Sequence, residues 1–216
     1  RKSMKGVPLT EELYKYITDT FILEDELLKQ IVADTEAKNI PLIQVSPETG
    51  KLLGMFVKMI GAKSILEIGT LTGYSTIWMA RALPPDGKVT TLELTKVHAD
   101  EALSNYKKAG LDNMITLKLG KAIDSLDTLS RSSFDLVFID ADKENCVNYF
   151  NKVIDMVRPG GLIITDNTLR RGEVIAPNPG PGALGIIAYN KLVAADSRVE
   201  SLLVPIDDGI TISLVK

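Results

Sequence analysis

The chain has the pattern of a doubly wound α/β fold: one mainly parallel, seven-stranded sheet with helices on both faces and an antiparallel hairpin at its C-terminus. Three features predict this. From residue 64 onward, short apolar runs alternate with helix-length amphipathic segments, as in strands joined by helical crossovers. The run Phe134-Asp-Leu-Val-Phe-Ile139 barely alternates between apolar and polar, which suits a central parallel strand covered on both faces. Near the end, Val199 to Val204 and Gly209 to Val215 flank Pro205-Ile-Asp-Asp-Gly209, a tight-turn signature that joins two antiparallel strands.

Taken in order, Thr10 can cap a first helix whose opening turn carries Glu11 and Glu12 and whose apolar stripe is Leu13, Ile17 and Phe21. A second amphipathic helix is expected over Glu24 to Lys38, with Pro41 breaking the pattern. Ser46-Pro47-Glu48 supplies a cap, a first helical residue and an acid near the positive helix end, and Leu52, Leu53, Phe56, Val57 and Ile60 follow at helical spacing. These helices, within residues 1–62, are expected to form a lid, a dimer surface or part of a substrate pocket ahead of an α/β core at 63–216, the two together making one domain. In the core, strands are expected at 64–69, 88–94, 115–120, 134–140 and 161–167. Helices are expected over Tyr74 to Leu83, His98 to Ala109 (closed by Gly110), Lys121 to Leu129 and Lys143 to Val157, the last stopped by Pro159-Gly160-Gly161. A loop rich in Pro and Gly, from Pro177 to Gly185, precedes a final helix that ends near Ala195.

The chain has 216 residues, 45% hydrophobic and 25% charged, enough for one well-buried core. A formal charge of −3 offers no basic field for phosphate backbones, so nucleic acid is not an expected partner. One cysteine, Cys146, excludes an internal disulfide and fits a reducing compartment. No run of about 18 apolar residues marks a membrane span, and Arg1-Lys-Ser-Met-Lys5 lacks the apolar segment of a signal peptide. A cytoplasmic location without membrane contact is the expectation, with Met4 as a candidate start.

Two strand ends carry the chemistry. Asp140 closes the Phe134 run, and Asp166-Asn167 closes Gly161-Leu-Ile-Ile-Thr165, so acids stand where open α/β sheets bind ligands, outside the carboxyl ends of their strands. Taken singly, each Asp could equally be a helix cap. Upstream, Ile65-Leu-Glu67-Ile-Gly69-Thr-Leu-Thr-Gly73-Tyr-Ser75 is a strand, a glycine turn and a helix start whose free N–H groups suit an anion. Its G-x-x-x-G spacing fits a pyrophosphate poorly and a carboxylate well. Glu67 would repel a phosphate and attract a cation or hydroxyl donor, and Glu93, at the next strand end, can take both hydroxyls of a ribose. A ligand with ribose, carboxylate and ammonium but no phosphate is S-adenosylmethionine. A turn with close helix packing is the plainer explanation of the glycines.

These segments resemble the class I methyltransferases, and more narrowly the metal-dependent O-methyltransferases of the caffeoyl-CoA and catechol O-methyltransferase group. The likeness runs along nearly the whole chain, through Leu13-Tyr-Lys-Tyr-Ile17, Val45-Ser-Pro-Glu-Thr-Gly50, Leu66 to Ser75, Phe138-Ile-Asp-Ala-Asp-Lys143, Arg158-Pro-Gly-Gly161, Asp166-Asn-Thr-Leu169 and Asp208-Gly209. It implies cofactor contacts from Val45, Glu67, Gly69, Thr70, Ser75, Glu93, Ala122 and Asp140, with Glu67 and Ser75 at the amino-acid end, Glu93 at the ribose and Gly120-Lys-Ala122 at the adenine. It implies a divalent metal on Asp140, Asp166 and Asn167, with Lys143 as catalytic base and Asp140 beside it, a homodimer, and Lys5 as a lysine that touches an acyl-CoA acceptor in plant members. Departures from the pattern are Ile43 for methionine, Lys121 for aspartate, Cys146 for tyrosine, and Arg170-Arg171 where a tryptophan often lines the acceptor pocket.

Methyl transfer to a hydroxyl is an in-line displacement. A metal held by two carboxylates and an amide carbonyl would favour the ionised form of two adjacent substrate hydroxyls, Mg²⁺ being the first expectation and Ca²⁺ or Mn²⁺ also compatible. The expected acceptor is a small aromatic with vicinal hydroxyls. As a base Lys143 would have to lose about 3 units from roughly 10.4, and the plainer alternative is a surface lysine paired with Asp142 or Glu144. His98, the one histidine, is expected on the surface; Cys146 could line the acceptor pocket or simply pack, and Trp78 is expected in the core. A non-catalytic S-adenosylmethionine-binding module would keep Glu67 and Glu93 without needing the acids and Lys143 together. An NAD-dependent oxidoreductase would need a pyrophosphate cradle, which is not visible.

Overall fold

The computed structural model describes residues 8–131 and 134–216; Met4 and Lys5 lie outside them. Seven strands, β1 (Ser64–Ile68), β2 (Lys88–Glu93), β3 (Ile115–Leu119), β4 (Phe134–Ile139), β5 (Val157–Thr165), β6 (Val199–Val204) and β7 (Ile210–Val215), form one sheet in the order β3-β2-β1-β4-β5-β7-β6. β1 to β5 pair in parallel and β7 runs antiparallel between β5 and β6. The strand order reverses between β1 and β4, so the crevice for a ligand opens at the carboxyl ends of those two strands.

The central strands are buried on both faces, and their residues divide by parity. Leu136 and Phe138 of β4 and Leu162 and Ile164 of β5 join one apolar cluster; Val137, Ile139 and Ile163 join the other. α2 (Glu26–Ala37), α3 (Pro47–Met59), α4 (Tyr74–Ala80) and α5 (Lys96–Lys108) cover the first face, and α6 (Ala122–Leu126), α7 (Cys146–Val153) and α8 (Pro181–Ala195) the second. α1 (Glu11–Phe21) has no buried residue and meets α3 through the Tyr14 hydroxyl, which donates to Glu48 at 3.2 Å, and through Lys51, which donates to Phe21 O.

Side chains set the helix starts. The Thr10 hydroxyl accepts from Leu13 N at 3.3 Å and the Ser46 hydroxyl from Thr49 N at 3.3 Å, each such cap stabilising its helix by about 1 kcal/mol. α2 begins two residues later than expected because Asp25, not the residues before it, caps it, accepting from Leu28 N at 3.0 Å. Glu24 instead receives the Tyr74 hydroxyl.

The segment after Asp140 is not one helix. A 3-10 turn, Lys143–Asn145, precedes α7, a second one, Ile154–Met156, follows it, and β5 has begun at Val157. Arg158-Pro-Gly-Gly161 therefore lies inside β5. The ladder jumps from Phe134↔Val157 to Leu136↔Leu162, and this irregularity admits a proline that a continuous parallel ladder would exclude.

Gly69 is the position that most constrains the fold. At φ 100° it uses a conformation that side chains resist, and a Cβ there would stand 2.2 Å from the carbonyl oxygen of Asp140. Gly110 has φ 67° but nothing within 4 Å. Gly69→Ala should therefore lower stability in urea unfolding by at least the roughly 1–3 kcal/mol typical of overpacking on top of its backbone strain, while Gly110→Ala should cost only about 1–2 kcal/mol. Equal losses in the two variants would show that the Gly69 approach is not tight.

Candidate active site

Four strand ends build the site, and a backbone hydrogen bond to the neighbouring strand reaches each of them. Gly69 N donates to Leu92 O at 3.0 Å, Asp140 N to Ile68 O at 2.8 Å, Asp166 N to Ile139 O at 3.1 Å, and Gly120 N to Glu93 O at 2.8 Å. Gly69, Glu93, Asp140 and Asp166 are thus fixed along the carboxyl edge of β1, β2, β4 and β5 by backbone bonds, independent of their side chains.

The glycine turn is braced from beneath. Glu67 is fully buried, and the hydroxyls of Ser75 (2.6 Å), Thr91 (2.6 Å) and Thr76 all donate to its carboxylate. Burial pushes its pKa up to about 7, with the three hydroxyls pulling down and the Asp140 charge adding to the rise. Tyr106 donates in turn to Thr76 at 3.0 Å, and its ring lies where a Cβ on Gly73 would be. Glu93 has a similar task. Its carboxylate accepts from Thr70 N (3.2 Å), Leu71 N (2.9 Å) and Thr95 N (2.8 Å).

Close packing is therefore what both glycines demonstrably serve: Gly69 against Asp140 and Gly73 against Tyr106. Thr91, Thr76 and Tyr106 were invisible as site residues in the sequence, because a threonine within a strand or a tyrosine within a helix carries no motif. His98 is not a free surface residue but is partly buried, with Nδ1 3.4 Å from Glu93. Val45, in the segment between α2 and α3, is buried in the first apolar cluster, and Ala122 is the half-buried first residue of α6 after Gly120 at φ 138°.

On the other side of the crevice the register pairs Ile139 with Thr165, so Asp140 and Asp166 emerge from adjacent strands side by side. Asp166 is buried, and its pKa is driven well above the usual carboxylate range, first by burial and then by the Asp140 charge. Asn167, at φ 56°, turns back so that its N–H meets Asp166 Oδ1 at 2.8 Å. Lys143 is not a surface lysine paired with Asp142 or Glu144. Its side chain is 9% exposed and its Nζ lies 2.6 Å from Asp140 Oδ1. Burial pulls its pKa down, but the charge and hydrogen bond of Asp140 outweigh that and the net direction is up, opposite to what a free base at neutral pH needs. Asp142 takes the side chains of Asn145 and Tyr149 instead. Cys146 is fully buried in the second apolar cluster, where burial pushes its thiol up to about 11.

The C-terminal hairpin holds the loop that follows Asp166. Thr168 N donates to Gly209 O and Leu169 N to Asp208 O, both at 2.9 Å, Arg171 N reaches the Asp208 carboxylate at 2.5 Å, and Asn190 Nδ2 meets Thr168 O at 2.9 Å. Among the described residues no three His, Cys, Asp or Glu side chains converge as a metal cluster. The strand-tip set is two carboxylates and one amide, an all-oxygen set that fits a hard divalent cation better than zinc.

Comparison with known proteins agrees with this architecture. A family model described as O-methyltransferase matches residues 18–216. A catechol O-methyltransferase of Niastella koreensis is 39% identical over 215 residues, covering 95% of this chain and 97% of that protein. A caffeoyl-CoA O-methyltransferase of Medicago sativa is 36% identical over 222 residues, covering 96% and 90%. The O-methyltransferase from Bacillus cereus, solved in complex with SAH, superposes with a TM-score of 0.89 at 41% identity, covering 94% of this chain and 96% of that one. A pyrophosphate-binding oxidoreductase and a bare binding module are thereby set aside: this chain belongs to the O-methyltransferase family, as an S-adenosylmethionine-dependent enzyme of class I.

Proposed function

We propose that the enzyme methylates one hydroxyl of a small aromatic acceptor carrying two adjacent hydroxyls, a catechol-like molecule, with a divalent cation, Mg²⁺ first, held by Asp140, Asp166 and Asn167. The observation that carries this is the β4–β5 register, which sets the two carboxylates side by side with Asn167 next in the chain and Lys143 ion-paired to Asp140. The names of the bacterial and plant relatives, catechol and caffeoyl-CoA O-methyltransferases, support the same acceptor chemistry. When bound, such a cation would favour the ionised form of adjacent hydroxyl oxygens.

The chain does the rest by positioning. Glu67 fixes the Ser75 hydroxyl, which together with the N–H groups of the turn through Gly69 and Thr70 faces the amino-acid end of the methyl donor. Glu93 serves the ribose, and Ala122 and Val45 frame the adenine and the donor's flank. Alignment of sulfur, methyl carbon and acceptor oxygen can contribute up to roughly 7–11 kcal/mol. Lys143 orients the acceptor hydroxyl and, once it has released its own proton to solvent, takes up that of the hydroxyl as the neutral amine. Its pairing with Asp140 raises its pKa, so proton uptake requires that the Asp140 charge be shared.

The same reading includes a homodimer formed through α1. This helix buries no residue of its own, and Tyr16 and Phe21 are 61% and 58% exposed. Among the described residues no helix is long and apolar enough to cross a membrane, and a lone cysteine suits the cytoplasm.

The direct test is labelled methyl uptake from S-adenosylmethionine into a panel of hydroxylated aromatics, with Mg²⁺ and with EDTA. Catechols should be labelled and monophenols not, EDTA should reduce uptake to background, and Lys143→Ala should lower kcat by about 10²–10⁴-fold. Undiminished turnover in EDTA would sink the metal assignment.

A second test needs no substrate. The pKa of Asp166 is raised by the fold above its value of about 3.9 in an unfolded chain, so ionising it costs stability; the cost is absent below that value, grows as pH rises through the folded value, and is constant beyond. Asp166→Asn in metal-free buffer should therefore melt above the wild type at pH 8, with the advantage shrinking towards pH 4.5. A difference that is constant with pH would mean that neither burial nor the Asp140 charge raises the Asp166 pKa in the folded protein.

A further inference from the structure

Arg170 stands three residues beyond Asn167 in backbone that side chains resist. Its φ is 48°, that of Arg171 is 49°, and Gly172 follows at 85°. Left-handed conformations at two successive arginines persist only where the surroundings enforce them. The bonds of Thr168, Leu169 and Arg171 to the hairpin turn at Asp208-Gly209 are that enforcement.

The side chain that this strain directs has no partner. The Nε–H of Arg170 is covered by protein and donates to no acceptor, and among the described residues no carboxylate lies within ion-pair distance of its guanidinium. The guanidinium lies over Gly182 in the first turn of α8, where a Cβ would be 3.5 Å from Nη2, 3.7 Å from Nε and 3.8 Å from Cζ. Gly185, one turn along the same face of α8, lies against the backbone of Lys143: a Cβ there would be 2.4 Å from the Lys143 carbonyl oxygen. One helix face therefore carries the Arg170 guanidinium and the Lys143 backbone a single turn apart. The Arg170 charge is also felt at Cys146, where it opposes the upward push of burial on the thiol.

A fixed, unpaired cation beside the acid–lysine cluster calls for an anion that arrives with the substrate. Resting on the catechol reading above, we propose that Arg170 is a specificity-determining residue that selects vicinal-dihydroxy aromatics bearing a carboxylate, which its planar fork holds while the two hydroxyls face Asp140, Asp166 and Lys143. A carboxylate matches the guanidinium in plane and in bond spacing, and a neutral substituent would leave the half-buried guanidinium, with its covered Nε, without a counter-charge.

The test uses two acceptors with the same ring hydroxyls, 3,4-dihydroxybenzoate and 3,4-dihydroxybenzamide. The wild-type enzyme should favour the acid by tenfold or more in kcat/KM, and the preference should weaken as salt is raised. Arg170→Gln should bring the acid-to-amide ratio close to one, and Arg170→Lys, which keeps the charge without the fork, should leave an intermediate ratio. An equal rate on both acceptors in the wild type, or a ratio that survives in Arg170→Gln, would overturn the assignment of Arg170 alone. Absence of methyl transfer to either acceptor, with other aromatics methylated, would overturn the catechol reading with it. The wild-type comparison stands even if both variants fail to fold.

Discussion

The site depends on one close approach of two backbones. β1 and β4 are neighbours at the point where strand order reverses, and the chain leaving β1 must turn into α4 without colliding with the chain leaving β4. A glycine at position 69 allows it, since any Cβ there would meet the Asp140 carbonyl oxygen. The approach locks the glycine turn proposed to hold the methyl donor to the first of the strand-tip acids. A small shift of either would alter the line from sulfonium to acceptor oxygen, and in-line transfer is sensitive to displacements of about 1 Å.

Electrostatics adds a second constraint. Glu67 and Asp166 are both raised first by burial and also by the Asp140 charge, and Lys143 is the cation in direct contact with Asp140. Three acids against one lysine leave an excess of negative charge in a poorly solvated crevice. Such an excess is unfavourable on its own and favourable once positive charge enters, which is what a sulfonium donor and a divalent cation would bring. The same imbalance explains why Lys143 keeps its proton in the protein alone, although proton uptake is the task proposed for it.

Much of this was legible in the sequence, for identifiable reasons. Asp140, Asp166 and Glu93 could be placed because a β-branched run that ends in an acid announces both the strand and its carboxyl end, and the ladder bonds then fix their neighbours. The hairpin and the helix caps at Thr10 and Ser46 were legible because local chemistry alone determines them. What failed depended on tertiary partners. The segment 143–157 has helical composition throughout, yet the ladder from Phe134 to Val157 captures its end as strand. Lys143 has acids at three nearby positions, and only the fold selects Asp140. The hydroxyl brace under Glu67 comes from two elements, Ser75 and Thr76 at the start of α4 and Thr91 in β2, and no spacing rule connects Thr91 with the other two.

The two halves of the crevice differ in how they are held, and this bears on where selectivity can reside. The donor half is fixed by main-chain ladders and by buried carboxylates that accept main-chain and hydroxyl hydrogens, so almost any substitution there disturbs the sheet itself. The half proposed for the acceptor is a loop after Asp166 clipped to the turn between β6 and β7, with its Arg170 side chain laid over Gly182 of α8. Its backbone is held by a few bonds to Asp208, Gly209 and Asn190, none of which involves the side chain of residue 170. On the proposed reading that side chain can therefore change the chemistry of the acceptor wall without touching the geometry of methyl transfer, and here it is an arginine with no counter-ion among the described residues.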